Sequence, residues 1–203
     1  KDYSYLIKTA GSINFQTAID NSGNGFAKGI EIFWRDRKSI KGIDYWLTYS
    51  YLDTERNFMN FPTSLTPTFA AKHTLSAVAK KFVLNWKTGF NLSYTYASGR
   101  PYYDLTQDFN SSIRHQGYLK DYNALNFSVN YVPSIGRTDN KANTVIVLGV
   151  NNILGTKNVF GYNYSQDGMR RSPVLPAYDT FVFIGAFISF GVDKTNDAIN
   201  NNL

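Results

Sequence analysis

Most of the chain alternates between apolar and polar residues with a period of two. At 86–96 the apolar set Trp86, Phe90, Leu92, Tyr94 and Tyr96 alternates with Lys87, Gly89, Asn91, Ser93 and Thr95. Similar alternation covers residues 25–37, 43–53 and 122–131. Successive side chains of a strand point to opposite faces, so the pattern predicts β-strands with one apolar and one polar face. No segment carries the stripe of an amphipathic helix, and we expect almost no helix.

The connections between the predicted strands differ in length. Weaker patterns at 74–81, 143–154 and 177–191 bring the total to about seven strands, and residues 3–8 are a candidate for an eighth. Short connections at 38–42 and 81–85 and a moderate one at 134–142 alternate with long ones at 56–71, 104–120 and 164–176. Strands of roughly ten residues with long loops at one end are typical of a transmembrane β-barrel.

Composition agrees with a chain that has two very different faces. Aromatic residues make up 16% of the chain, although its mean hydropathy is mildly polar at −0.31. Lipid requires an apolar outer face, and a wet lumen accepts polar side chains. Aromatic residues near predicted strand ends suit interfacial girdles: Trp34, Tyr45, Trp86, Tyr96, Tyr102, Tyr103, Tyr131 and Tyr178. The predicted fold class is all-β, an antiparallel transmembrane β-barrel segment of about seven or eight strands.

Several classes of protein are excluded or disfavoured. The chain has no cysteine, which rules out a disulfide scaffold, a thiol enzyme and a cysteine zinc site. Abundant aromatic residues argue against disorder, and no apolar run is long enough for a transmembrane helix. The start of the sequence has no signal-peptide pattern. The net charge of +6 is scattered, so we expect no nucleic-acid partner. A soluble up-and-down barrel that holds a ligand is an open alternative.

Several stretches, taken in order, resemble the C-terminal barrel of TonB-dependent outer-membrane transporters. They are GFAKGIEIF (25–33), DYWLTYSYLD (44–53), TPTFAAKH (66–73), YTYASGRPY (94–102) and GVNNIL (149–154). In the final strand Gly185, Ile188 and Phe190 match part of the terminal signal of outer-membrane barrels, while Phe183 replaces its expected polar residue.

The resemblance implies a barrel of about 22 strands around an N-terminal plug. About seven strands cannot form it, so the chain resembles the last third of such a barrel. We expect barrel strands at 25–191, an external loop with the candidate strand at 1–24, and a polar tail at 192–203. A standalone small barrel with a structural or binding role is the alternative.

Enzymatic signals are weak. His73 and His115 are the two histidines, and they do not have a metal-ligand spacing. We predict no catalytic residue, metal or cofactor, and a structural role for His73. An outer-membrane hydrolase is a residual hypothesis, which loss of turnover in His115→Ala would support. By parity, Glu31, Arg35 and Asp44 should share the inner face, where they could form a polar network against a plug.

Recognition is expected in the long loops, where aromatic faces stack on rings and arginines bind anions. The candidate substrate-binding residues are Arg100, Tyr102, Tyr103, Arg114, His115, Tyr162, Tyr164, Arg170 and Arg171. Girdle roles for the tyrosines and lipid contacts for the arginines are the alternatives.

The resemblance implies TonB-dependent import of a siderophore, vitamin, glycan or peptide in the outer membrane. The implied partners are membrane lipid, a plug and further barrel strands of the same protein, TonB, and a surface lipoprotein lid.

Overall fold

A computed structural model describes residues 23–57, 63–108, 115–136 and 142–190. The described residues are almost entirely β-structure. In chain order the elements are β1 (Gly25–Asp36), β2 (Asp44–Arg56), β3 (His73–Val83), a 3₁₀ turn (Leu84–Trp86), β4 (Thr88–Ala97), β5 (Pro101–Tyr103), α1 (Leu105–Asp108), β6 (Gln116–Tyr118), β7 (Tyr122–Tyr131), β8 (Ala142–Asn151), β9 (Gly161–Tyr164), β10 (Arg171–Val174) and β11 (Phe181–Phe190). The predictions for 3–8, most of 1–24 and the tail at 192–203 lie outside the described residues.

Seven long strands form one antiparallel sheet in the order β1-β2-β3-β4-β7-β8-β11. Each long strand therefore lies beside the next long strand in the sequence. Two small hairpin sheets, β5–β6 and β9–β10, interrupt the sequence between long strands. All three short connections between long strands meet at one end of the sheet, which we call the short-turn end. The connections 57–72, 98–121 and 152–180 meet at the opposite end, the long-loop end. The predicted alternation of short and long connections is confirmed.

The register keeps the alternating residues of neighbouring strands on common faces. Leu47 pairs with Ala77, Ala77 with Tyr94, and Tyr94 with Leu125, so apolar positions continue across four strands. We call this side the apolar face. Its side chains remain open at both edges of the sheet, with Ile30 63% and Ile184 78% exposed. Contiguous apolar surface of this extent marks contact with a membrane or with more protein.

The opposite side, the polar face, is hydrophilic over β1–β7. Asn91 Nδ2 donates to Ser128 Oγ at 3.2 Å, and Asn126 Nδ2 donates to Ser93 Oγ at 3.4 Å. These cross-strand bonds pair polar groups within the sheet. On β8 and β11 the same side becomes apolar. The ring of Phe183 covers Gly149 so closely that a Cβ at this glycine would lie 2.2 Å from the ring. Gly149 therefore supplies the room that this ring occupies.

The three predicted inner polar residues share the polar face, as their parity required. Arg35 forms an ion pair with Asp44, whose carboxylate is buried, and Arg37 lies 3.4 Å from the same carboxylate. Glu31 lies on the same face of β1, four residues before Arg35. Trp46 is an aromatic residue at a position of β2 that faces this polar side, and its ring centre lies 5.5 Å from the Arg35 guanidinium and 5.2 Å from the Lys80 ammonium. Cation–π contact explains an aromatic residue on the polar face.

Several predicted strand ends differ from the structure: β2 continues to Arg56, β4 begins at Thr88 because Trp86 belongs to the 3₁₀ turn, and β8 and β11 are shorter than predicted. The strand predicted at 143–154 ends at Asn151, because Asn152 has a positive φ of 51°. That conformation takes the backbone out of the extended region. The strand predicted at 177–191 begins at Phe181, and Asn152 Nδ2 donates to Asp179 O at 2.6 Å just before it. His73 begins β3, and its Nδ1 lies 2.9 Å from the Tyr49 hydroxyl, as the structural role predicts.

The main sheet is open. Within the described ranges, β1 pairs only with β2, and β11 pairs only with β8. Both are long strands, of 12 and 10 residues, with exposed side chains along almost their whole length. Within the described residues, the outer edges of these two strands therefore have no partner strand. No helix in the described part of the chain is long and apolar enough to span a membrane.

Candidate ligand-binding cleft

Three loops converge at the long-loop end through specific hydrogen bonds. Gln116 Nε2 donates to Thr66 O at 2.7 Å, which ties β6 to the loop at 57–72. The Tyr164 hydroxyl donates to Tyr103 O at 2.7 Å, which ties β9 to β5. Each bond joins residues at least 50 positions apart in the chain. The loops therefore form a single packed layer above the sheet.

Gly99 lets the middle loop turn closely against its own return. A Cβ at this position would lie 1.8 Å from Leu119 O, which leaves no room for any side chain but hydrogen. Leu119 N donates to Arg100 O at 2.9 Å directly beside this contact. Asp121 accepts from Gly99 N at 2.8 Å and closes the same corner. These contacts set the direction in which β5 leaves the sheet.

A cleft of about 430 Å³ lies among the three loops. Its walls are mainly aromatic and its charged lining residue is Arg100. The lining residues are Thr68, Phe69, Arg100, Pro101, Tyr102, Tyr103, Leu105, Leu119, Phe160, Gly161, Tyr162 and Tyr164. The size falls within the range of ordinary small-molecule sites.

Arg171 organises one wall of the cleft. Its guanidinium lies 4.7 Å from the centre of the Tyr162 ring and 5.3 Å from that of Tyr102. The two rings meet edge to face, with 4.7 Å between their centres. The guanidinium also donates to the Tyr102 hydroxyl at 2.8 Å and to Asp104 Oδ2 at 3.1 Å. These contacts join β10, β9 and β5, and we call the four residues the arginine cluster.

Asp104 is the buried anchor of this cluster. The Thr106 hydroxyl donates to its Oδ1 at 2.6 Å, and its own backbone N–H donates to His115 O at 2.9 Å. Burial raises the pKa of the Tyr103 and Tyr164 hydroxyls above the usual value, so both stay protonated at neutral pH. Arg100 uses one Nη group to donate to Phe160 O at 3.2 Å. The wall therefore combines fixed cations with neutral hydroxyl groups.

The structure brings together most of the residues predicted for substrate binding. Five of the nine line the cleft: Arg100, Tyr102, Tyr103, Tyr162 and Tyr164. Arg171 does not line the cleft, but its guanidinium contacts the rings of Tyr102 and Tyr162. His115 is exposed and contributes its backbone carbonyl to Asp104, and Arg170 is exposed at the β9–β10 turn. Arg114 lies outside the described residues. Tyr102 and Tyr103 lie in β5, within the loop layer. Their part in binding stays a prediction.

Sequence reasoning missed Phe69, Phe160 and the partnership of Asp104. Phe160 directly precedes the predicted Tyr162 region, and an aromatic residue beside a loop glycine was an available signal. Asp104 follows Tyr103 in the sequence, yet its partner Arg171 is 67 positions away. Such a pairing carries no local pattern.

The arrangement suits recognition of a ring-bearing or anionic ligand. Aromatic faces provide flat apolar contact, and guanidinium groups bind carboxylates or phosphates in two-point fashion. Among the described residues, no group of three His, Asp or Glu side chains is placed to hold a metal ion.

The fold and the two-faced sheet define the class: a segment of an antiparallel β-barrel wall. Among solved structures, the chain is similar to the outer membrane transporter YddB from Escherichia coli, with a TM-score of 0.56 and 10% sequence identity. The likeness covers 83% of this chain and 25% of that one. At this identity it is a likeness of fold alone, and the chain spans about a quarter of that transporter's length. No protein-family model and no curated protein matches the sequence.

Proposed function

We propose that the chain forms C-terminal strands and external loops of a TonB-dependent outer-membrane transporter. The whole protein imports a scarce or bulky nutrient, such as a siderophore, vitamin, glycan or peptide. In this proposal the loops bind the nutrient and TonB acts on a plug held within the complete barrel. The solute then passes through the lumen. A surface lipoprotein that closes over the loops is a further proposed partner.

The open sheet is the observation that supports this proposal most strongly. Backbone groups in a bilayer must be paired, so β1 and β11 need further strands on their outer edges. The chain resembles a quarter of an outer membrane transporter. The rest of such a fold would supply the strands that β1 and β11 need. A barrel closed by these seven strands alone would pair β1 with β11. The main sheet has no such pairing among the described strands.

The cleft gives the proposed transporter its recognition surface. It lies at the long-loop end, which in outer-membrane barrels faces the cell exterior. The arginine cluster holds its aromatic wall rigid before a ligand arrives, which lowers the entropic cost of binding. We therefore assign the first contact with the nutrient to the cleft.

Uptake by cells that carry the full-length protein tests the proposal. Cells are supplied with labelled siderophores, cobalamin, oligosaccharides and peptides, with and without TonB. We expect one of these solutes to accumulate in the TonB-containing strain alone. Arg171→Gln should lower the initial uptake rate by about tenfold, because the aromatic wall of the cleft loses the guanidinium that supports it.

Arg170→Gln is the matched control, because the structure places this adjacent arginine outside the cleft lining, where it joins its turn through its backbone. Its uptake rate should equal that of the unmodified protein. Accumulation that continues without TonB would contradict TonB dependence. Equal losses in the two variants would contradict the assignment of the cleft.

A further inference from the structure

An apolar groove crosses the apolar face near the short-turn end. Ala77 and Ala79 of β3 lie in its lining, between Tyr45 and Leu47 of β2 and Leu92 of β4. Because alanines stand between larger side chains, the surface is lower along β3. The groove has a volume of about 410 Å³.

The groove ends at the turn between β1 and β2. Ile40 and Ile43 of this turn are also in its lining, and the rings of Trp34 and Tyr45 meet edge to face with 5.3 Å between centres. The turn itself is well defined: Asp36 Oδ1 accepts from Ser39 N at 2.9 Å. The groove therefore leads without a break to an ordered turn.

The turn is strongly basic. Arg37, Lys38 and Lys41 are all exposed there. The nearest carboxylates are already engaged, since Asp36 accepts from Lys38 N and Ser39, and Asp44 binds both Arg35 and Arg37. Four cationic side chains and two carboxylates lie between Arg35 and Asp44, which leaves an excess of positive charge at the groove mouth.

We propose that the groove and the basic turn form a site for an anionic phospholipid. One acyl chain lies along Ala77 and Ala79, and the phosphate group lies against Lys38 and Lys41. An acyl chain suits a groove without hydrogen-bonding demands, and basic side chains at a membrane surface attract anionic headgroups. The acyl chain and the charge together distinguish this occupant from a free phosphate ion.

The inference extends beyond transport and rests only on the membrane placement within the proposed function. The test uses the full-length protein in phosphatidylcholine nanodiscs that carry a minor fraction of lipid with brominated acyl chains. That lipid is either phosphatidylglycerol or phosphatidylcholine. Bromine quenches nearby tryptophans, and subtraction of the Trp34→Phe spectrum isolates Trp34. We expect brominated phosphatidylglycerol to quench Trp34 by about twofold more than brominated phosphatidylcholine.

Two variants remove the site by different means. The double variant Lys38→Gln/Lys41→Gln should lose the headgroup preference, whereas Lys157→Gln, at the long-loop end, should keep it. Ala79→Leu fills the groove and should weaken quenching by either lipid. Ala186→Leu, on the same face of β11, is its control.

The outcomes separate the site from the membrane placement. Quenching of Trp34 without headgroup preference, or a preference that survives in the double lysine variant, overturns the lipid site and leaves transport intact. Failure of the full-length protein to enter nanodiscs overturns the membrane placement and the site together.

Discussion

Replacement of Arg171 by glutamine is the sharpest test of how the cleft is held together. The change removes the contacts of the guanidinium with the Tyr102 and Tyr162 rings and with Asp104. Asp104 retains the Thr106 hydroxyl, so its buried carboxylate keeps a hydrogen bond. The loss is therefore local: β9–β10 should separate from β5 while the main sheet stays folded.

The size of the effect follows from the contacts that are lost. A hydrogen bond to a charged group contributes about 1.5–3 kcal/mol when well buried. The Arg171 side chain is 37% exposed, so solvent weakens its contacts below that buried value. Loss of the two ring contacts and the two hydrogen bonds together should raise the population of the opened cleft by about 5–30-fold. Hydrogen exchange in the full-length protein should show it at residues 101–104 and 161–174, with β4 unchanged.

Two results would refute this reasoning. Exchange at 161–174 that stays the same in Arg171→Gln would mean that the cluster does not hold the hairpin. An equal increase in Arg170→Gln would assign the effect to loss of surface charge, because Arg170 joins its turn through backbone groups.

Three further predictions concern other parts of the chain. Gly99→Ala should lower the free energy of unfolding, measured in urea, by about 1–3 kcal/mol, because the added Cβ would meet a backbone oxygen. Gly161→Ala is the control and should change it little, because no atom lies within 4 Å of the Cβ that it would add. In lipid vesicles Leu92→Lys on the apolar face should lower the free energy of unfolding by about 2–4 kcal/mol. Ser93→Lys on the polar face should lower it by about 0.5 kcal/mol or less. Equal losses would mean that the apolar face does not contact lipid. Hydrogen bonds from the Ser165 hydroxyl and the Met169 N–H lower the pKa of Asp167 below its usual 3.8. The ionised carboxylate therefore stabilises the β9–β10 turn fully above pH 3.8, and this stabilisation is lost as pH falls through the lowered pKa. Amide exchange at Met169, corrected for intrinsic rate, should speed up in that acid range, and Asp167→Asn should remove the pH dependence.

The seven long strands could be predicted because each carries its own signal. Alternation between Leu92 and Ser93, or between Phe127 and Ser128, follows from the pleat, which separates neighbouring side chains onto two faces. Cross-strand order then followed from connection lengths. The two hairpin sheets could not be predicted in this way. β5 has three residues and β10 has four, so neither is long enough for a period to be visible.

The cleft was predictable in composition but not in geometry. Arginine and tyrosine in long loops indicated a recognition surface, and six of those residues meet around it. Their meeting depends on contacts such as Tyr164 with Tyr103 and Arg100 with Phe160, about 60 residues apart. Gly99 shows the same limit, because only the structure reveals that Leu119 O occupies the space beside it.

The asparagines that follow β8 show how the long-loop end completes the wall. β8 pairs with β7 only from Phe127 to Tyr131, which leaves the first half of β7 without a strand on that side. Asn158 takes its place: its Oδ1 accepts from Asn123 N at 3.1 Å, and its Nδ2 donates to Asn123 O at 2.9 Å.

Asn152 and Ile153 make two further contacts with β7. The Asn152 N–H donates to Asn126 Oδ1 at 2.9 Å, and Ile153 N donates to Leu125 O at 2.8 Å. The loop therefore satisfies the backbone and side-chain groups that a longer β8 would have paired. The same residues hold Phe160 and Tyr162 at the cleft, because the loop that closes the wall continues directly into β9. The sheet and the cleft are thus joined by one continuous segment, and a shift of the loop at Asn158 should reach both.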